Sequence, residues 1–232
     1  MLQRVSIFIC ILLCACAPKQ ATLYTSAFPI VTPVALHGPT PQHTPAVHFK
    51  MLHVPSIDAV LRETAQIDKS LVNSRNSLQT AKKSIRSLAN GNMDSLRQEL
   101  RQMLADGTFS LVNKNGLPSL AYNKNKRSAR ADSLHGSISN LHQEVVNIRS
   151  EFPEMKKNVQ QLVKKSKRMV NNAPTEVQKA IVSGQLPVTH MANTVQFVNF
   201  NVQQIQKVPV HVKELKQEIV KSAEFLRNLL QP

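Results

Sequence analysis

Tryptophan is missing from this chain, tyrosine occurs twice, and aromatic residues make up only 4 % of its 232 positions. A compact core built on large rings is therefore excluded. A packed interior has to come from Leu, Ile, Val and Ala, which suits long helices laid against one another. Glycine is scarce as well, with six in all, which leaves little material for a tight anion cradle. The three cysteines, Cys10, Cys14 and Cys16, all fall within the first sixteen residues. That excludes a disulfide framework and a Cys-based zinc site anywhere downstream. Acids are few: 14 Asp and Glu stand against 29 Lys and Arg, a net charge of +15. Such an excess selects acidic partners, namely an anionic membrane, a cell-wall polymer, nucleic acid or an acidic protein.

What is present starts with an export signal. Arg4 supplies a positive end, Val5 to Leu13 a short apolar run, and Ala15 and Ala17 the small residues of a cleavage region. The run is too short to span a membrane as a helix. Leu13-Cys14-Ala15-Cys16 resembles a bacterial lipobox, in which a Leu and a small residue precede a Cys that is acylated. The resemblance implies that residues 1–16 are removed and that Cys16 becomes the lipidated first residue. With Ala17 after it, the resemblance also implies an outer-membrane or cell-surface lipoprotein in a bacterium. The alternative is ordinary secretion after cleavage near the same point.

Residues 17–55 read as a Pro-rich tether, with Pro29, Pro33, Pro39, Pro41, Pro45 and Pro55 and no sustained period. Proline removes backbone donors and holds φ near −65°, so the tether is expected to be extended and disordered. His37, His43, His48 and His53 recur within it. Without a Cys or carboxylate among them they read as solvated side chains, and no metal is expected.

From residue 56 to 232 the reading is all-α: three long rods in an elongated antiparallel bundle or coiled coil, with short helices between them. The central rod is Leu134 to Ala173. Its apolar residues (Leu134, Ile138, Leu141, Val145, Ile148, Phe152, Met155, Val159, Leu162, Met169, Ala173) alternate steps of four and three, and Ser166 fills one slot. That is a heptad seam held for more than five repeats. Pro153 interrupts it, so two nearly coaxial helices with a bend at Phe152-Pro153 are expected. A turn region at 171–187, containing a short helix from Thr175 to Ser183, should follow.

The first rod should be capped by Ser56 and run through Ile57, Val60, Thr64, Ile67, Leu71, Ser74, Leu78, Ala81, Ile85 and Leu88. Asn90-Gly91 stops it. Asn92 caps a shorter helix from Met93 to Ala105. The last rod, from about Thr189 to Leu230, carries a three-residue phase slip at Val208-Pro209. These seams could pair within the chain or, in a homo-oligomer, between chains.

Residues 107–130 break the pattern. They read first as an irregular crossover loop. The second reading is a small β-hairpin of Thr108–Val112 and Leu117–Tyr122 around Asn113-Lys114-Asn115-Gly116, as in some helical pore-forming toxins. Pro118 would hold its second arm to an edge.

No Gly-rich phosphate loop, nucleophile elbow or HExxH arrangement occurs. His135 and His142 lie two helical turns apart, too far to share one metal. No catalytic residue or cofactor is therefore expected. Charge is the remaining signal. Lys156, Lys157, Lys164, Lys165, Lys167 and Arg168 lie in a stretch, 155–173, that has no acid, whereas 56–106 holds eight bases against six acids. A basic loop, Lys124, Lys126, Arg127 and Arg130, precedes the central rod. The residues predict a patch for an anionic polymer, lipid or acidic protein. Nucleic acid is not expected, since no aromatic side chain is interleaved for base stacking. The functional expectation is an exported, lipid-anchored cationic spacer or interaction module at the cell envelope, not an enzyme. The alternatives are a secreted membrane-active bundle and a eukaryotic secreted precursor cut after Arg127.

Overall fold

The computed structural model of the protein describes residues 46–231 apart from His53, Thr189 and His190. The export signal, Cys16, the tether up to residue 45, and His37, His43 and His53 lie outside the described residues.

The described chain is mostly helical, in the order α1 (Pro55–Leu88), α2 (Met93–Ala105), a hairpin of β1 (Phe109–Lys114) and β2 (Leu117–Tyr122), a single 3₁₀ turn (Lys124–Lys126), α3 (Ala129–Val182), α4 (Met191–Ile205) and α5 (Val208–Leu230). At about 1.5 Å per residue the 54 residues of α3 make a rod of roughly 80 Å. The expected seam lies along it. Leu134, Ile138, Leu141, Val145, Ile148, Val159, Leu162, Ser166, Met169 and Ala173 are all buried, and Phe152 and Met155 are half-buried. These side chains are covered by the chain itself.

Three expectations about helix ends need correction. α3 runs unbroken through Pro153 and Pro174, where two coaxial helices and a separate turn region had been expected. Both prolines stand on the exposed side, so the carbonyl that Pro153 frees one turn back faces water and can be hydrated, which lowers the cost of continuing the helix. The cap of α1 is Val54 rather than Ser56, because Pro55 already occupies the first turn, where its missing N–H would have had no partner. The last rod is two helices, broken at Gln206-Lys207. The buried column Asn201, Val208, Leu215, Ser222, Leu229 keeps a seven-residue step across that break.

The hairpin is present where an irregular loop was the first reading. Asn115 (φ 56°) and Gly116 (φ 73°) both take the left-handed region, as a two-residue turn with the twist of a hairpin demands. β1 and β2 pair antiparallel from Phe109 opposite Tyr122 to Lys114 opposite Leu117. With only two strands, Pro118 sits on an edge by necessity. Phe109, Leu117 and Leu120 are buried in one cluster with Leu96, Leu100 and Leu134. His135 stacks near Phe109 and Tyr122, with centroids at 6.2 and 5.3 Å. His142 Nε2, 3.1 Å from the Lys114 carbonyl oxygen, donates to it. The two histidines of α3 thus hold the hairpin in place.

Contacts between helices fix their senses. Ser56 donates to Glu176 at 3.0 Å, Lys165 pairs with Glu63 at 2.6 Å, and Arg130 donates to the Leu88 carbonyl at 2.8 Å. Numbers rise along α1 as they fall along α3, so these two helices run oppositely. Asp68 meets His211, Arg75 meets Glu214 at 2.5 Å, and Lys82 meets Glu218, so α1 and α5 run the same way. Residues 61, 68, 75 and 82 form one column seven apart, and its charged members face α5 instead of solvent. A second apolar cluster gathers Leu52, Val54, Ile57, Leu61, Val177 and Val198 where α1, α3 and α4 meet.

Residues 46–52 and Val54, expected to belong to a disordered tether, are instead held against the helices as a short strap, with Leu52 and Val54 buried and Val47 and Phe49 half-buried. The Asn201 side chain accepts from the Lys50 N–H at 3.0 Å and donates to the Lys50 carbonyl at 2.7 Å. Leu52 N–H donates to Asp58 at 2.9 Å and Val47 N–H to Asp68 at 3.1 Å. Apolar anchors explain the order: Leu52 and Val54 are both buried, and burying such side chains fully is worth about 1.5–3 kcal/mol each. Proline content alone does not reveal them.

Candidate cationic interface

The second half of α3 carries its bases on one side. With 3.6 residues per turn, each residue advances about 100° around the axis. Lys156, Lys167, Lys164, Lys157, Arg168 and Lys165 then spread, in that angular order, over about half the circumference, opposite the buried seam of Met155, Val159, Leu162, Ser166 and Met169. All six are exposed. Packing explains the placement: α1, α4 and α5 take the apolar stripe, and only the opposite face remains for charge.

The six are not equivalent. Lys165 is paired with Glu63 at 2.6 Å, and Lys157 lies 3.8 Å from Glu154. Lys156, Lys164, Lys167 and Arg168 have no ion-pair partner among the described residues. Arg168 also stands at a groove of about 260 Å³ between α1 and α3, floored by Ile57, Val60 and Met169. At the far wall of that groove Glu176 is held below the usual carboxylate range, first by the hydrogen bond from Lys179 and then by that from Ser56. The groove therefore carries both signs, and the stretch of outward surface without an acid of its own is that of residues 155–173 of α3.

In the basic loop before α3, three of the four members also make contacts within the fold. Arg130 makes two hydrogen bonds to the Glu99 carboxylate, at 2.8 and 2.7 Å, besides the one to Leu88. That pairing lowers the Glu99 pKa and raises that of Arg130. Lys126 Nζ donates to the Asp106 carbonyl at the end of α2. The Asp106 carboxyl is itself held low, chiefly by the side chain and then the backbone of Thr108. Arg127 lies 3.7 Å from Asp132. Among these four, Lys124 alone has no ion pair or side-chain hydrogen bond among the described residues.

No family model, curated protein or solved structure matches this chain. What it does has to be argued from its own surface. No helix among the described residues is long and apolar enough to cross a membrane, and no group of His, Cys, Asp and Glu among them could hold a metal. Of the four tether histidines, only His48 is described, and it is exposed.

Sequence reasoning missed a second cationic face. Lys213, Lys216 and Lys221 of α5 surround Val220, which is 47 % exposed. Arg149 of α3 and Arg227 of α5 flank the same Val220 from the other side. Glu224 is the one acid lining these two grooves. A signal existed: at about 100° per residue, the bases at 213, 216 and 227 fall along one flank of the stripe of Leu215, Ile219 and Leu226. It is faint because Glu214, Glu218 and Glu224 are interspersed among these bases in the sequence.

Proposed function

We propose that this protein is an exported, non-enzymatic helical module, anchored by a lipid on Cys16, whose three-rod antiparallel bundle presents the outward face of α3 to an anionic surface of the cell envelope. The observation that carries the reading is the exposed set Lys156, Lys164, Lys167 and Arg168. These bases stand on the side of α3 away from its packed seam and have no acidic partner among the described residues.

Near an anionic bilayer each basic residue contributes about 1 kcal/mol, and salt screens the attraction. The purified protein is therefore expected to float with vesicles rich in phosphatidylglycerol and to be released by salt. Changing Lys156, Lys164, Lys167 and Arg168 together to Gln should weaken that binding by roughly two to three orders of magnitude. Binding unchanged in the fourfold variant would refute the assignment of this face. The anchor is tested separately: Cys16→Ala should abolish incorporation of a radiolabelled fatty acid, and label retained in the variant would remove the anchor from the account.

A further inference from the structure

α3 runs opposite to α1 and α5 runs with α1, so α3 and α5 are antiparallel. Arg149 of α3 and Val220 and Arg227 of α5 line one groove between these helices, together with Val145, Ile219 and Ala223. A step of seven residues is two turns: it rises about 10 Å and returns a side chain to within about 20° of its starting direction. Seven residues on from Arg149 stands Lys156, and seven before Val220 stands Lys213. In an antiparallel pair both steps go the same way, so Lys156 and Lys213 come level on facing walls of the groove. Lys216 falls between the two levels, and Arg227 lies about 10 Å beyond Val220 in the other direction. The five bases form a line of about 20 Å with members on both walls.

All five are exposed, and none has an ion-pair partner among the described residues. The acids of the same stretches are directed elsewhere. Glu151 and Glu154 project about 140° or more around α3 from Arg149. Glu214 and Glu218 are paired with Arg75 and Lys82 of α1. Glu224 is the one acid at the rim, beside Val220.

We propose that this groove binds a linear phosphate-bearing polymer, laid lengthwise between α3 and α5. Like charges held along a line repel one another, and a ligand whose own charges repeat along a line relieves that repulsion. A flexible chain follows a groove, whereas a flat bilayer does not. A phosphate within a chain has free oxygens on both sides and can meet bases on both walls, while a carboxylate chain carries each charge to one side. The guanidiniums of Arg149 and Arg227 match such oxygens with paired N–H donors. No aromatic side chain lines the groove to stack a base, so the chain is one without nucleobases, such as a polyphosphate or a polyol phosphate.

The groove shares only Lys156 with the outward face of α3, and the test keeps the two apart. The purified protein is titrated with inorganic polyphosphate over a range of salt concentrations. Two double variants remove the same charge: Arg149→Gln with Lys216→Gln in the groove, and Lys164→Gln with Arg168→Gln on the outward face. The groove pair should weaken binding by roughly tenfold or more and flatten the log–log salt slope by about 1.4. The outward pair should change affinity by less than about threefold. A second groove pair, Lys213→Gln with Arg227→Gln, should reproduce the loss and keeps the test decisive if the first loses helical circular dichroism. Equal losses in the groove and outward pairs would reduce the effect to net charge and overturn the site. So would native binding to polyphosphate no tighter than to orthophosphate at equal phosphate concentration. A groove pair that binds polyphosphate normally but no longer floats with phosphatidylglycerol vesicles would replace the polymer by a membrane. Vesicle flotation of the Lys156, Lys164, Lys167 and Arg168 variant tests the outward face by itself.

Discussion

At the scale of single residues, the most consequential side chains are charged and inside. Asp68 is 2 % exposed and accepts from both the Val47 N–H and His211 Nδ1. A carboxylate only accepts, so the Nδ1 proton lies in that contact, and Nε2 of the same ring is buried with no hydrogen-bond partner among the described residues. Removing one partner of such a set leaves the others buried and unpaired. Asp68→Ala is expected to cost about 3–5 kcal/mol, read as a lower midpoint in urea unfolding. A change within about 0.5 kcal/mol, the usual range of a surface substitution, would mean the contact is not made. Glu99 gives the pH dependence. Its folded pKa lies below its unfolded value because of Arg130. Its contribution is thus present above the ordinary carboxylate range and is lost as pH falls through the lowered folded value. Arg130→Met removes the pair and the bond to Leu88 together. It should destabilise by about 1–2 kcal/mol at neutral pH, and the difference from the native protein should shrink in acid. A difference that stays constant with pH would contradict the pairing.

Elements show where sequence reading succeeds and where it stops. The α3 seam was legible because apolar side chains repeat on a seven-residue beat and α1, α4 and α5 bury that same stripe. The column Leu61, Asp68, Arg75, Lys82 was not, since three of its four members look like a solvated face. Their partners, His211, Glu214 and Glu218, lie more than 130 residues away in the sequence and have the same disguise. The short segment before α1 was illegible for a related reason: its order comes from two apolar anchors, Leu52 and Val54, and from the distant side chains of Asn201 and Asp68, not from any period of its own. The hairpin was half-legible, because Asn115-Gly116 is a turn signal but the decisive contacts come from His135 and His142. Gly116→Val would force a β-branched residue into positive φ and should cost about 1–2 kcal/mol. Near-ultraviolet circular dichroism of Tyr122 should change with it; an unaltered spectrum and midpoint would argue against the hairpin turn. The chemistry of Pro153 predicts two helices meeting there, whereas its position on the exposed side lets one helix continue.

For the whole molecule, the account joins one long helix to two uses of its surface. One stripe of α3 is covered by α1, α4 and α5, and the opposite stripe keeps its charge for something outside. Both depend on α3 being a single rod, because a break at Pro153 would turn the bases of 156–168 away from the register set by Leu134 to Ile148. The measurement that bears on this most directly is a pulsed electron-spin distance between labels at Gln143→Cys and Gln161→Cys, with Cys10, Cys14 and Cys16 changed to Ser. Both positions are exposed and stand five full turns apart on one face. A continuous α3 predicts one narrow distribution near about 27 Å. A broad or markedly shorter distribution would contradict it.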